Sequence, residues 1–288
     1  MQSKSDHYSL LDSGQGCKLE QFGPYVFSRP SAQAIWKPQL PVSTWQKADA
    51  SFTREGDTRW EQKKTLPDSW QITVSDIIFK LSATDFGHLG IFPEQRDSWE
   101  WIQQLVKKAK QSGRENIQVL NLFAYSGGST LAAAKGGAQV CHLDASKGMV
   151  AWARENAALN GLEKAPIRWI VDDVSKFLAR EIKRGVRYDG IIFDPPSFGR
   201  GSRGEVFKIE DNLPSIISDC RTLLSDNPLF VLFSCHSPGF TPIVMHHLMK
   251  QMMQGFQGSI EAGEMILKGK DDVLSLPSGV FARWNNGK

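Results

Sequence analysis

Two rhythms of apolar and polar residues run along this chain. Up to about residue 90 the apolar stretches are short or alternating, as in YSLLDSGQG, KLEQFGPYVFSRP, QAIWKPQLP and QITVSDIIFKLSA, with Gly, Pro and Asp between them. Short strands separated by turn residues predict a small β-rich domain over residues 1–90. From residue 96 the spacing becomes helical: RDSWEWIQQLVKKAKQSG carries a periodic apolar face and closes on a glycine, the mark of a helix end. Strand and helix patterns then alternate. IQVLNLF (117–123), AQVCHLD (138–144), IRWIVDD, YDGIIFD and NPLFVLFSC read as strands. STLAAAKGG (129–137), KGMVAWARENAALNG (147–161), VSKFLAREIKRG, a stretch within 207–225 and TPIVMHHLMKQMMQG read as helices. Two short strands, near 259–266 and 280–284, follow. This alternation predicts a parallel, right-handedly wound sheet over 91–288.

Composition narrows the class. With 41% hydrophobic and 23% charged residues in 288, the chain has the balance of a soluble globular protein. No apolar run approaches the ~20 residues that span a bilayer, so no membrane partner is expected. The start, MQSKSDHYSLLDSGQG, lacks a basic segment followed by an apolar stretch, so no secretory signal is expected. Cys17, Cys141, Cys220 and Cys235 are widely spaced and form no C-x-x-C pair, which suits neither a zinc site nor a disulfide framework and fits a reducing cytoplasm. His142 and the adjacent His246 and His247 lack metal-ligand spacing, so no metal is expected. A net charge of +3 permits nucleic acid as a partner without arguing for it. Trp36, Trp45, Trp60 and Trp70 all fall in the first rhythm; they read as core filling, with a surface for stacking unpaired bases as the sharper alternative.

In a doubly wound sheet the ligand site lies just past the strands' C-terminal ends. The first strand runs into NLFAYSGGSTLAAA, where Gly127 and Gly128 allow close backbone approach ahead of a helix N-terminus. The dinucleotide fingerprint G-x-G-x-x-G is absent, which counts against a pyrophosphate cofactor. The second strand ends at Asp144, as able to cap a helix as to accept hydrogen bonds from ribose hydroxyls, and the third at VDDV, where Asp173 is as good a helix cap as a ligand contact. The fourth ends in FDPPSFGRG (193–201). Two residues that cannot extend a sheet there expose the carboxylate of Asp194.

The run VLNLFAYSGGSTLAAAKGGAQVCHLDAS followed by DPPSFGRG resembles the class I S-adenosylmethionine-dependent methyltransferases. More narrowly, it is similar to the bacterial branch containing the 23S rRNA cytosine-C5 methyltransferases. GHLGIFPEQRDSW (87–99) resembles that branch's segment just ahead of the methyltransferase domain. The likeness covers roughly residues 87–284. It implies a Rossmann-like seven-stranded α/β methyltransferase sheet, S-adenosylmethionine as cofactor, and ribosomal RNA as partner in the cytoplasm; the small β-rich N-terminal domain, which matches no RNA-binding module, is a candidate for positioning that RNA. By matched position it implies that Phe123, Ala124, Tyr125, Ser126 and Gly127 cradle the methionine end. Asp144 with Ala145 would hold the ribose, Asp173 with Val174 the adenine, and Gln95 and Arg96 the methionine carboxylate. Asp194 would border cofactor and acceptor, Pro195 and Pro196 would line the substrate pocket, and Phe198 would stack on the target base.

Carbon-5 of cytosine is a poor nucleophile, and a thiolate adding to carbon-6 turns the ring into an enamine that can attack a methyl group. The fifth strand ends FSCHSPG, which puts Cys235 at the place of that nucleophile in the related enzymes, with Asp194 at the N3 side of the base. The chain departs from their Cys-Ser-Gly in carrying Cys235-His236-Ser237, and a buried structural thiol is the plainer reading of Cys235. Methylation of an exocyclic amine such as guanine N2, without a covalent nucleophile, is the main alternative. A non-catalytic RNA- or protein-binding platform is another, and the intact glycine turn and acids count against it. Arg200 and Arg203, in the Gly-rich basic stretch GRGSRGEVFK, are candidates for phosphate contacts.

Overall fold

The computed structural model describes residues 7–53, 59–200, 206–269 and 272–287. The chain forms two compact units, Met1–Arg96 with Ile266–Ser278, and Asp97–Met265 with Gly279–Lys288.

In the first unit, β1 (Tyr8–Gly14), β2 (Cys17–Phe22), β3 (Tyr25–Pro30), β4 (Ala50–Thr53) and β5 (Arg59–Gln62) form one sheet in that order, with the single turn α1 (Val42–Trp45) between β3 and β4. Only the β3–β4 pair is parallel. A hairpin follows, β6 (Trp70–Val74) and β7 (Ile77–Leu81). Its two-residue turn has Ser75 and Asp76 both at positive φ, the twist that antiparallel strands favour. Leu10, Leu19, Phe22, Phe27, Ile72, Ile77 and Phe79 form the buried core. The indole N–H groups of Trp36, Trp45, Trp60 and Trp70 donate to Ser13, Asp12, Thr84 and Phe22 of the same unit, and Trp60 and Trp70 pack on Phe27 at 5.6 and 5.7 Å. These rings are committed to the fold. Cys17 opens β2.

The second unit contains α2 (Arg96–Gln111, whose first residue belongs to the first unit), β8 (Gln118–Leu122), α3 (Gly128–Gly136), β9 (Gln139–Asp144), α4 (Lys147–Leu159), β10 (Ile167–Val171), α5 (Val174–Lys183) and β11 (Gly190–Phe193). A short hairpin, β12 (Phe198–Arg200) and β13 (Val206–Lys208), leads to α6 (Ile209–Leu223), β14 (Phe230–Cys235), α7 (Pro242–Met252), β15 (Ser259–Leu267) and β16 (Leu276–Asn285), of which residues 266–267 and 276–278 belong to the first unit. The seven-stranded sheet has the order β10-β9-β8-β11-β14-β16-β15. The first five strands are parallel and β16 runs antiparallel to β14. Every residue of β11 and β14 is buried, as expected of central strands covered on both faces. Strand order reverses between β8 and β11, the switch point where a doubly wound sheet opens a crevice at its C-terminal edge.

The opposite edge of that sheet is pinned. Asp189, just before β11, accepts from Arg114, from the Gln118 amide at 2.8 Å and from the Ser225 hydroxyl at 2.9 Å. Among the described residues, no helix is long and apolar enough to cross a membrane.

Candidate active site at the C-terminal strand ends

The chain leaves β8 in a strained turn. Phe123 and Tyr125 sit at φ 54° and 50°, a left-handed conformation that is uncommon outside glycine and that concentrates where ligands bind. Gly127 follows at φ 94° and caps α3 with no side-chain hydrogen bond, so the helix start offers backbone N–H groups. A side chain at Gly128 would come within 2.6 Å of the Trp99 ring; this glycine serves helix packing. Two bonds fasten the turn to β9: the Ala124 amide donates to the Leu143 carbonyl at 3.0 Å and the Tyr125 amide to Asp144 Oδ2 at 2.9 Å.

Asp144 is half-buried at the end of β9, where its Oδ1 also accepts from the Ser146 amide at 2.8 Å. Burial raises its pKa against the pull of these two amides. A carboxylate has about four acceptor positions, so this one retains capacity for a vicinal pair of hydroxyls. Asp173 caps α5 through the Lys176 amide at 3.0 Å, which takes up one of its oxygens; Val174 beside it is buried. Ala145 follows Asp144 directly.

At the neighbouring strand ends, Asp194 leaves β11 and Cys235 closes β14. The parallel register pairs Phe193 with Phe233. Pro195 is buried, Pro196 is exposed, and Phe198, four residues after the acid, is 52% exposed. Two side-chain contacts join the loops after these strands: His236 Nδ1 lies 3.5 Å from Asp194 Oδ1, and the Ser237 hydroxyl donates to that of Ser197 at 2.7 Å. Cys235 itself is buried, its Sγ accepting from the Ser237 amide at 3.4 Å. Burial raises the thiol's pKa, the Ser237 amide draws it back and the Asp194 charge raises it again. At neutral pH it is a thiol. Phe207 of β13 packs edge-on against Phe123 at 5.4 Å, tying the hairpin to the strained turn.

The strand ends therefore gather Phe123, Ala124, Tyr125, Ser126, Gly127, Asp144, Ala145, Asp173, Val174, Asp194, Pro195, Pro196, Phe198 and Cys235 within the second unit. Gln95 and Arg96 belong to the first unit. The side chain of Arg200, and Arg203 altogether, lie outside the described residues.

A model of the S-adenosylmethionine-dependent methyltransferase family matches residues 34–230. The chain belongs to that family. A methyltransferase of this kind from Agrobacterium tumefaciens, known as a crystal structure, is 41% identical, covers 99% of this chain and 92% of that one, and superposes with a TM-score of 0.91. A second crystal structure, SMU.776 complexed with SAH, is 21% identical with a TM-score of 0.75 and has the same fold. The large-subunit ribosomal RNA methyltransferase K/L of Pseudoalteromonas atlantica is 35% identical over 62% of this chain and 22% of its own length. The large-subunit ribosomal RNA methyltransferase I of Aeromonas salmonicida is 34% identical over 52% of this chain and 36% of its own. The matches thus span about a third or less of these curated relatives.

The enzyme's methyl donor is S-adenosylmethionine, and the residues present suit it. A carboxylate with capacity for two hydroxyls, an uncapped helix start and a turn held in left-handed backbone are the partners that a ribose and an amino-acid end require. Sequence reasoning found the acids and the glycine turn but gave no role to His236 or to the Ser197–Ser237 link. The signal was the histidine directly after Cys235, visible beforehand only as a departure from the related enzymes.

Proposed function

We propose that this methyltransferase modifies a base of large-subunit ribosomal RNA, and that the acceptor is carbon-5 of cytosine, activated by Cys235. One observation carries the choice: Asp194 and Cys235 end adjacent parallel strands at the same edge as Asp144. A base stacked on Phe198 would meet an acid on one side and a thiol on the other. Bound S-adenosylmethionine supplies an electrophilic methyl group. Cys235 Sγ adds to carbon-6 of the ring as its thiol proton passes by way of Asp194 to N3, leaving an enamine whose carbon-5 can attack the methyl group. The two ribosomal RNA methyltransferases among the relatives support the substrate class. The first unit would hold the RNA, and a target within a duplex must be unpaired or flipped out to reach the strand ends.

The buried, protonated state of Cys235 favours a second reading: methylation of an exocyclic amine, guanine N2, with Asp194 accepting an N–H and no covalent adduct. Radiolabelled transfer to unmodified ribosomal RNA by wild type and Cys235→Ala separates the two. Label recovered as 5-methylcytidine and abolished in the variant supports the thiol mechanism. Label in a methylated amine that survives the substitution overturns it, and the absence of label in RNA overturns the substrate class.

A further inference from the structure

We infer that His236, oriented by Asp194, accepts the proton that methyl transfer releases. The inference rests on the proposed base methylation for its substrate, but not for its geometry. Replacing a hydrogen of the acceptor by a methyl group forms a bond from the acceptor atom to carbon and breaks its bond to hydrogen. The donor's sulfonium becomes a neutral thioether, so the positive charge must leave as a proton. That holds for carbon-5, where any sulfur adduct is expelled in the same step, and equally for an amine. Some group at the strand ends has to take the proton.

His236 is well suited. Its Nδ1 is turned to Asp194 Oδ1 at 3.5 Å, with the imidazole 34% and the carboxylate 26% exposed. A carboxylate beside one ring nitrogen fixes the proton there and leaves the other, Nε2, as the base. The separation is long for a hydrogen bond, as such contacts often are before a ligand tightens them. Two features hold the ring in place. The Ser237–Ser197 hydroxyl bond fastens the loop after β14 to the loop after β11. From β16, Gly279 at φ 108° approaches so closely that a side chain there would meet His236 Cδ2 at 3.0 Å and the Cys235 carbonyl at 2.9 Å. Among the described residues, the titratable groups shown against the imidazole are Asp194, after β11, and Cys235, the last residue of β14, while β16 approaches it at Gly279.

The pair is read first without any acceptor. In full-length protein with ¹³C-labelled histidine, the resonance missing from His236→Gln identifies the ring, and its titration is followed by NMR in wild type and Asp194→Asn. Removing the neighbouring charge lowers the His236 pKa by about half a unit to one unit; an unmoved titration overturns the proposal whatever the acceptor is. Single-turnover methyl transfer to unmodified large-subunit ribosomal RNA is then followed against pH. The wild-type rate falls as pH drops through the His236 ionisation. His236→Gln is slower by about 10²-fold or more, has lost that limb, and binds S-adenosylmethionine as before. A His236→Gln profile that parallels wild type overturns the proposal. Should wild type leave RNA unlabelled, the RNA reading fails and the pair stands on its titration.

Discussion

Asp189 and Asp194 flank the same four-residue strand and have opposite lives. Asp189 enters β11 with every nearby donor turned towards it: an arginine, a backbone amide and a hydroxyl. Asp194 leaves β11 between a buried proline and the edge of an imidazole, with a flat exposed phenyl ring a few residues on. One end of the sheet uses its carboxylate to hold strands together, and the other carries the carboxylate that the proposed function gives to the acceptor base. A doubly wound sheet makes this division general, because helix N-termini and strand-to-helix turns crowd the C-terminal edge.

Exchanging the roles would break the comparison. Asp194→Ala is expected to lower the rate of methyl transfer by roughly 10²–10³-fold with a denaturation midpoint close to wild type. Asp189→Ala is expected to cost about 2–3 kcal/mol of stability, the range for orphaning donors that faced a charged acceptor, with S-adenosylmethionine binding intact at low temperature. Urea titrations and methyl-transfer rates on the same two variants decide it. If Asp194→Ala melts the protein, or Asp189→Ala kills a stably folded enzyme, the division is wrong.

Asp144 sharpens the comparison within the C-terminal edge. It serves both masters, fastening the Tyr125 turn and retaining capacity for hydroxyls. Asp144→Asn therefore weakens S-adenosylmethionine by roughly 10–100-fold, the loss of about 1.5–3 kcal/mol from hydrogen bonds to a charged acceptor. Because burial raises its pKa, calorimetric affinity of the wild type declines on acidification earlier than an ordinary carboxylate would make it. The Asp144→Asn variant, with no carboxylate to protonate, shows no such decline. Equal affinity for the two proteins would remove Asp144 from the ribose.

Much of this was legible in the chain and some was not, for physical reasons. Strand-to-helix alternation and the glycines that close α2, α3, α4, α5 and α7 are local signals, so the sheet and the residues at its ends could be read directly. The prolines after Asp194 announced a strand end because they cannot continue a ladder. Asp189 carried no such signal: its partners Arg114 and Ser225 lie 75 and 36 residues away. Asp173 shows the limit of reading acids at strand ends, since its carboxylate caps α5. The return of residues 266–278 to the first unit is a long-range event to which no local pattern points. His236 was in plain view, yet only the register of β14 beside β11 turns its ring to Asp194.

The buried His142, set against the partly exposed His236, carries the smallest effect and tests the same division. His142 lies two residues before Asp144, inside β9, fully buried. Its Nδ1 bonds Thr130, which accepts from Asn121, at 2.9 Å in each case, and its Nε2 has no hydrogen-bond partner among the described residues. Burial lowers its pKa to about 3, whereas the unfolded chain's imidazole titrates near 6.5. Between those values the unfolded state holds a proton that the folded state refuses, so stability falls as pH drops below about 6.5, by up to about 1.4 kcal/mol per pH unit. Above that range the group contributes no pH dependence. Urea denaturation at about pH 7 and pH 5.5 is expected to differ by about 1 kcal/mol more in wild type than in His142→Gln, which has no proton to take up. Identical slopes would mean that His142 titrates in the folded protein as freely as an exposed histidine, and that the interior of β9 is as open to water as its end.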